Sequence, residues 1–442
     1  MRNSPPALTR ARSILLAAVC LPLCAGETRP QQPERGREPT LSDSAVVSLL
    51  TVLPGDRLYN LFGHTVIRVR DPLTGLDAGF NFGTFDFPET LTGGVGFVAR
   101  FAYGKLDYRL SASGAPLRDV EWYWSNEARP TIEQTLDLTA AQARSLFTML
   151  AENARPENAT YRYDFFFDNC STRPRDAFEA VLGEDLQTTM DDPGKSFRQL
   201  LDPYLVANPG VDLAMDLGLG PPADRVATAR DALFLPAELM HWLDAATVRD
   251  SRGNRRPLVS RTDTLTWGPG AGHKDPAPPW PSILAWVLAA VLLGLTLVDF
   301  RSGRGPRRWL DGMLFGLVGV AGSVLAFLVF VSLHTVTDRN LNLTWALPTH
   351  LIAGAVLLAG RQPRWIKPYM MGALALAGLF LVGLPFWTQE IPPAVVPAVL
   401  AIAAREARLA FPPVCRSSSS GSSGDRDAPD SQRSQAADAR SR

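Results

Sequence analysis

A single cysteine, Cys170, stands where a thiol could act as a nucleophile. It lies in the segment DNCSTRPRDAFEAVLG, in which cap-type residues are followed by Pro174, by apolar residues at helical spacing and by Gly183. This pattern predicts a helix that begins directly at the cysteine. The partial positive charge of a helix N-terminus, with Arg173 and Arg175 close by, favours thiolate over thiol. An ordinary helix cap is the alternative interpretation.

The other three cysteines lie in segments that leave Cys170 without a disulfide partner in its own domain. Cys20 and Cys24 fall in the N-terminal apolar stretch SILLAAVCLPLCAG, and Cys415 follows the last apolar segment. An unpaired cysteine in an exported domain is buried and inert, bonded to another chain, or retained for its chemistry. Burial is the commonest of these, but the position at a helix start favours chemistry.

A thiol nucleophile needs a base, and His64 is the histidine best placed to supply one. It opens LFGHTVIRVRDPLTG, whose alternation predicts a β-strand, and AGFNFGTFDF predicts the second strand of a hairpin. A strand-borne imidazole could then face the helix-borne thiol, although a histidine merely hydrogen-bonded within a strand fits the pattern too. His241 lies in the amphipathic helical segment PAELMHWLDAA and His273 in the linker GPGAGHKDPAPP, so we give both less weight.

Composition and motifs argue against several other classes of function. The chain carries 44 basic and 44 acidic residues, so it has no charge excess that would favour nucleic acid. No histidine pair has the spacing of metal ligands, and no glycine-rich phosphate loop precedes a helix. The glycines of ETLTGGVGFVARF fit a turn before a short helix. We therefore predict no metal, no cofactor and no nucleic-acid partner.

The first residues predict export. Arginines precede a short apolar stretch that ends in small residues, the pattern of a secretory signal peptide over residues 1–26. Residues 27–39 are then a mobile leader. The mixed polar and apolar sequence of residues 40–275 predicts a globular domain on the periplasmic side.

Residues 280–411 have the composition of a membrane domain. Its apolar segments are WPSILAWVLAAVLLGLTLV, MLFGLVGVAGSVLAFLVFVSL, LTWALPTHLIAGAVLLA, YMMGALALAGLFLVGLPFW and IPPAVVPAVLAIAA. A span needs about 20 apolar residues, so the first, second and fourth are strong, the others are weaker, and the bundle has roughly four or five spans. The arginine-rich loops RSGRGPRRW and GRQPRWIKP face the cytoplasm, as does the polar, disordered tail over residues 412–442.

The membrane half also carries polar residues at its predicted outer face. His334 and Asn340 lie in LHTVTDRNLNLTW, and His350 follows inside the next apolar segment. Polar groups near hydrocarbon are costly and usually carry function or a specific packing bond. We expect His334 and Asn340 to contribute to substrate binding, with a solvated loop as the alternative.

The two motifs LFGHTVIRVRDPLTGLDAGFNFGTFDF and YDFFFDNCSTRPRDAFE together resemble the Lnb N-terminal periplasmic domain family, over roughly residues 45 to 245. That family is associated with a bacterial lipoprotein N-acyltransferase. The order of histidine before an Asn-Cys motif is also similar to the permuted papain-like arrangement of the lecithin retinol acyltransferase group. The resemblance implies an α+β fold, in which an exported papain-like thiol domain of a small antiparallel sheet plus helices precedes the transmembrane bundle.

The same resemblance implies Cys170 as nucleophile and His64 as base. The permuted acyltransferases carry a further histidine soon after the first, which is missing here, so Asn81, Asp86 or Asp77 would orient His64. We prefer Asn81 as the third catalytic residue.

The implied activity is that of a membrane-anchored cysteine acyltransferase at the periplasmic face of the bacterial inner membrane, acting on phospholipid or lipoprotein. We expect Asn169 and Arg173, which flank the thiol, to bind substrate. A periplasmic thiol hydrolase or peptidase and a noncatalytic membrane-anchored binding module are the alternatives.

Overall fold

The computed structural model describes residues 41–85, 90–250, 252–267, 275–303 and 305–412. The signal peptide and the leader predicted from the sequence lie outside these residues, as do Asp86, His273 and all but the first residue of the tail.

An antiparallel sheet forms the centre of the exported half. Among the described residues it has seven strands in the order β10-β5-β1-β2-β3-β4-β6, so it is larger than the small sheet expected. The strands are β1 (Val46–Val52), β2 (His64–Asp71), β3 (Leu76–Thr84), β4 (Asp107–Ser113), β5 (Thr131–Leu136), β6 (Thr160–Arg162) and β10 (Val259–Thr266). A second sheet joins β7 (Leu186–Thr188), β8 (Ala246–Arg249) and β9 (Arg255–Pro257).

Helices cover this sheet. They are α1 (Leu91–Tyr103), α2 (Pro116–Glu127), α3 (Ala140–Asn153), α4 (Thr172–Leu182), α5 (Phe197–Leu205), α6 (Pro209–Gly218), α7 (Ala229–Ala232) and α8 (Pro236–Ala245). The glycines of TGGVGF lie within the first turns of α1, so the turn predicted there is wrong. The threonine at position 90 caps the helix by accepting a hydrogen bond from the Gly93 N–H, which lets the helix start before the glycines.

The central strand β2 is buried on both faces. Ile67 and Val69 pack into the main core with Leu146 and Phe178 from α3 and α4, while Val66 on the other face packs into a smaller cluster. Burial on both faces also encloses Arg68, which is paired with Asp77 and Glu133, as a buried charge requires. The hairpin of β2 and β3 predicted from the sequence is present.

The membrane half consists of α9 (Trp280–Ser302), α10 (Arg308–Phe330), α11 (His350–Leu358), α12 (Ile366–Gly383) and α13 (Val395–Ala410). Within the described residues, three segments are long and apolar enough to cross a membrane, 280–302, 308–330 and 366–386. They overlap the three apolar segments that the sequence identified as strong. The two weaker segments form α11 and α13, which have 9 and 16 residues.

Buried ion pairs join three of these helices. Arg405 of α13 contacts Asp299 of α9 at 2.9 Å and Asp311 of α10 at 2.7 Å, and all three side chains are fully buried. Arg307 makes a further contact with Asp299 at 2.9 Å. Charges in a low-dielectric interior are tolerated only when paired in this way, so the cluster fixes how the helices pack.

The exported domain is seated on the membrane half. The Asn340 amide donates to the Leu217 carbonyl at 2.7 Å, and the Gln389 amide donates to the Leu219 carbonyl at 3.2 Å. The Gly220 N–H donates to the Val336 carbonyl at 2.9 Å. These bonds join the end of α6 and the residues after it to the loops at one end of the helical bundle, so the two halves are in direct contact.

Gly220→Ala should loosen this contact. A Cβ at this position would overlap the backbone oxygen of Asp338, so the two segments must separate. We expect a loss of about 1–3 kcal/mol, the usual cost of overpacking, measured as a lower melting temperature of the full chain in detergent. Gly114→Ala is the matched control, because nothing lies within 4 Å of its added Cβ. Equal melting temperatures for the two variants would contradict the contact.

Candidate active site

Cys170 lies at the start of α4, as the sequence predicts, and the preceding asparagine fixes that start. Asn169 Oδ1 accepts hydrogen bonds from the Ser171 and Thr172 N–H groups at 2.8 and 2.9 Å. Its amide group donates to the carbonyls of Phe165 and Phe234 at 2.7 and 2.9 Å. Asn169 is buried, and its amide oxygen and nitrogen both have protein partners. Its contacts are those of a helix-capping residue.

His64 and Asn81 meet across the hairpin. His64 Nε2 lies 2.7 Å from Asn81 Oδ1. An amide oxygen can only accept, so His64 Nε2 carries the proton and donates it to this bond. In the neutral ring Nδ1 is then unprotonated, so His64 is oriented as a base.

The side chains of Cys170 and His64 both lie close to one glycine. Gly83 has φ +89°; an added Cβ there would lie 3.5 Å from Cys170 Cβ and 3.9 Å from His64 Cε1. Both groups are therefore within 4 Å of a single point. The pairing of β3 with β4 shifts register between Asn81 and Thr84, which is how the strand accommodates this left-handed residue.

Thr65 links the strand to the helix start. Its hydroxyl donates a short hydrogen bond to the Cys170 carbonyl, and its backbone N–H, like that of Cys170 itself, favours the charged sulfur and so acts to lower the thiol pKa. The N–H group is available because β2 pairs with β3 only from Ile67 onward in the described register. The first residues of β2 thus lie at an opening between two strands, and the start of α4 occupies it.

Burial sets the protonation of this pair. Cys170 and His64 both keep partial exposure to solvent, yet the protein around them is dense enough that desolvation dominates. It raises the pKa of the Cys170 thiol to about 11 and lowers the pKa of His64 to about 4. The resting site therefore holds a neutral thiol and a neutral imidazole.

The expected lowering of the thiol pKa is therefore wrong for this arrangement. The guanidinium of Arg173 is paired with Asp168 at 2.5 Å and lies over the Tyr161 ring at 3.8 Å. Arg175 is paired with Asp176 at 2.7 Å. Both guanidinium groups are occupied away from the sulfur, and the helix N-terminus alone does not offset desolvation.

Aromatic and charged residues surround the histidine on its other side. The Asn81 side chain acts to lower the pKa of Tyr123, and the Tyr123 ring packs edge-on to His64 with 6.4 Å between centroids. Arg129 lies over the same tyrosine ring at 5.5 Å and is paired with Glu127 at 3.0 Å. Burial raises the pKa of Tyr123 to about 12, so its hydroxyl stays protonated beside the asparagine.

The other residues that were expected to orient His64 or to bind substrate have different partners in the structure. Asp77, an alternative partner for His64, is paired with Arg68 at 2.6 Å. His334 Nε2 lies 2.8 Å from the Phe101 carbonyl, and the Asn340 amide bonds the Leu217 carbonyl at the end of α6. The polar residues at the outer loop thus make packing bonds between the two halves, and the structure gives neither of them a contact with Cys170 or His64.

Two residues of the site had not been singled out from the sequence. Gly83 did carry a signal, because an isolated glycine within a strand pattern indicates a bulge or a close backbone approach. Thr65 carried no such signal, since its bond to the Cys170 carbonyl depends on how the start of α4 packs against β2. Within the described residues, no group of three or more histidine, cysteine or acidic side chains is placed to hold a metal ion.

Alkylation of Cys170 should report the raised pKa. The thiolate is the reactive form, so the rate of iodoacetamide labelling should rise about tenfold per pH unit and continue rising well above pH 9. Peptide-level mass spectrometry separates Cys170 from the other cysteines. Protein unfolded in denaturant is the control, in which the thiol should titrate near ~8.5. A labelling rate that levels off below pH 8 in the folded protein would instead indicate a thiolate–imidazolium pair.

Comparison with known families agrees with the two-part architecture. A family model described as the Lnb N-terminal periplasmic domain matches residues 34–203, and one described as the Lnb transmembrane domain matches residues 274–412. No curated protein and no solved structure matches the chain. The two matches together cover more than half of the sequence and confirm the resemblance seen in its motifs. The chain therefore belongs to the Lnb family and is a membrane-anchored protein with a periplasmic domain.

Proposed function

We propose that this protein is a cysteine acyltransferase of the bacterial inner membrane, acting at the periplasmic face on a phospholipid or lipoprotein. The observation that carries the proposal is the hydrogen bond from His64 Nε2 to Asn81 Oδ1 beside Cys170. It leaves Nδ1 as the proton acceptor of a nucleophile–base–orienting group arrangement. Asn81 is the orienting residue of this triad.

In the first half-reaction the thiol attacks an ester carbonyl. As the bond from Cys170 Sγ to the carbonyl carbon forms, the thiol proton passes to His64 Nδ1. Collapse of the tetrahedral intermediate breaks the ester C–O bond, and the departing alkoxide takes the proton from His64. The products are a thioester on Cys170 and a lyso form of the donor.

In the second half-reaction an amine attacks the thioester. His64 accepts the proton from the attacking nitrogen and returns it to the departing sulfur, which regenerates the neutral thiol and imidazole. Because both resting groups are neutral, the site creates charge only while a carbonyl is being attacked. A lipoprotein N-terminus is the acceptor we favour, on the basis of the family resemblance.

The oxyanion would be stabilised by the backbone N–H groups of Cys170 and Thr65. These are the N–H groups that favour the charged sulfur. The N–H groups of Ser171 and Thr172 bond Asn169 Oδ1, so the first turn of α4 contributes through the cap and not through those two donors. We assign Asn169 a positioning role, and we keep Arg173, which is partly exposed beside Tyr161, as the substrate-binding candidate.

The contact between the two halves supports a membrane-embedded substrate. The periplasmic domain is held against the helical bundle by several hydrogen bonds, so its distance from the bilayer surface is restricted. Confinement of enzyme and acyl-bearing partner to one surface raises their effective concentration. A soluble substrate would gain nothing from this arrangement.

Substitution of the triad should abolish activity without unfolding the protein. Cys170→Ala removes the nucleophile, and His64→Ala should cost about 10²–10⁴-fold in turnover, the usual contribution of general acid–base catalysis. Asn81→Ala should cost less, because the imidazole remains but is no longer oriented. His241→Ala is the matched control, since this histidine is exposed on α8, and its activity should be unchanged. Full activity of Cys170→Ala or His64→Ala would reject a thiol mechanism.

Substrate class is tested with the full chain in vesicles. Diacylated lipoprotein with phospholipid should give acyl transfer, and mass spectrometry should find the acyl group as added mass on Cys170. Soluble peptides and murein fragments should be inert. Turnover of the soluble compounds alone would indicate a thiol hydrolase or peptidase, and no turnover of either kind with a folded protein would indicate a noncatalytic module.

A further inference from the structure

The helix α1 carries an exposed apolar stripe, and the ring of Phe101 at one end of it packs on the His334 ring with 5.9 Å between centroids. Val95, Val98 and Phe101 follow at i, i+3 and i+6, so they lie along one side of the helix. Their exposed fractions are 65%, 63% and 40%. Large exposed apolar patches on folded proteins usually mark a contact with another molecule or with a membrane.

The end of α1 is bonded to the outer end of a membrane helix. The Leu333 N–H donates to the Tyr103 carbonyl at 2.9 Å, and His334 Nε2 lies 2.8 Å from the Phe101 carbonyl. Leu333 follows α10, whose last residue Phe330 is 77% exposed, and the next residue Val331 is 48% exposed. The apolar surface of the span therefore continues onto α1.

Charges beside the stripe suit the boundary of a bilayer. Arg100 in the last turn of α1 and Lys105 just beyond it are both exposed. Basic side chains near a membrane surface are attracted to anionic headgroups, each contributing about 1 kcal/mol. A helix with an apolar stripe and basic residues at its end matches the composition of helices that lie in the interface plane.

We propose that α1 is an interfacial helix, whose Val95, Val98 and Phe101 insert into the outer leaflet of the membrane that the C-terminal half spans. Because α1 is bonded to the residues just after α10, the bilayer is the surface that would cover the stripe. A surface attached at that level and continuous with a lipid-facing span is within reach of the headgroup region.

The inserted helix also contacts the thiol site through a chain of aromatic rings. Phe97 of α1 packs on Phe85 with 5.3 Å between centroids, and Phe85 packs on Tyr108 at 4.8 Å. Tyr108 stands opposite Tyr161 in the register of β4 and β6. A Cβ added at Gly83, which would lie near both Cys170 and His64, would also lie 3.9 Å from the Tyr161 hydroxyl. Insertion of α1 would therefore be linked to the thiol site through packed side chains.

An environment-sensitive probe tests the insertion directly. Val98→Cys is introduced in a full-length chain in which Cys170 is replaced by alanine and the other cysteines by serine, and it is labelled with a nitrobenzoxadiazole fluorophore. The protein is reconstituted in vesicles of phosphatidylethanolamine and phosphatidylglycerol, part of which carry bromine on their acyl chains. Leu73→Cys is the matched control, because this apolar residue is 75% exposed at the far end of β2 from His64.

We expect blue-shifted emission and strong quenching by brominated lipid at position 98, with water-like emission and iodide quenching at position 73. Iodide quenching at both positions to the same extent would overturn the proposal. A blue shift at position 98 that disappears as the protein-to-lipid ratio is lowered would also overturn it, because a second copy of the chain would then cover the stripe.

An activity measurement tests whether the apolar stripe of α1 matters for catalysis. This test rests on the proposed function. Val95→Ser with Val98→Ser should lower turnover of a vesicle-embedded acyl ester several-fold while leaving the iodoacetamide labelling rate of Cys170 unchanged. Leu73→Ser with Val226→Ser, two other exposed apolar positions, should leave both unchanged. Equal turnover of both double variants would disconnect the helix from catalysis. A wild-type chain without turnover would reject the acyltransferase and leave the fluorescence result intact.

Discussion

The contact between the first residues of β2 and the start of α4 is the constraint on which the site depends. The Thr65 hydroxyl holds the Cys170 carbonyl, and Asn169 fixes the helix start from the other side. Both anchors are side chains that bond backbone groups beside the sulfur. The position of the Cys170 backbone therefore determines where its side chain lies. The same strand end carries His64, so one local docking event brings the thiol and the imidazole close together.

Desolvation explains why these two groups can be close without forming an ion pair at rest. The pKa of the thiol is raised and that of the imidazole lowered by the same surroundings, and both shifts favour the neutral forms. Hydrogen bonding by Asn81 works in the opposite direction on His64, because it stabilises the protonated ring. A substrate carbonyl that accepts charge would therefore meet a base that is oriented but not yet protonated.

Much of this arrangement could be predicted from local sequence, and the rest required tertiary information. The cap-type residues before Pro174 placed Cys170 at a helix start, and alternation placed His64 at a strand start. Local patterns cannot say which side chains meet across elements, so the partners of Arg173 and Arg175 and the contact made by Thr65 were not foreseen. The predicted thiolate failed for the same reason, since burial depends on the whole fold.

The polar loop of the membrane half illustrates the limit most clearly. From its composition alone, we expected Asn340 and His334 to bind substrate, with a solvated loop as the alternative. The structure gives both residues partners in the periplasmic domain, one beside α6 and one at the end of α1. Hydrogen bonds of this kind compensate polar groups near hydrocarbon, and they do so by joining the two halves. The cost of placing polar residues at the membrane surface is thereby offset by the same contacts that hold the thiol domain against the bilayer.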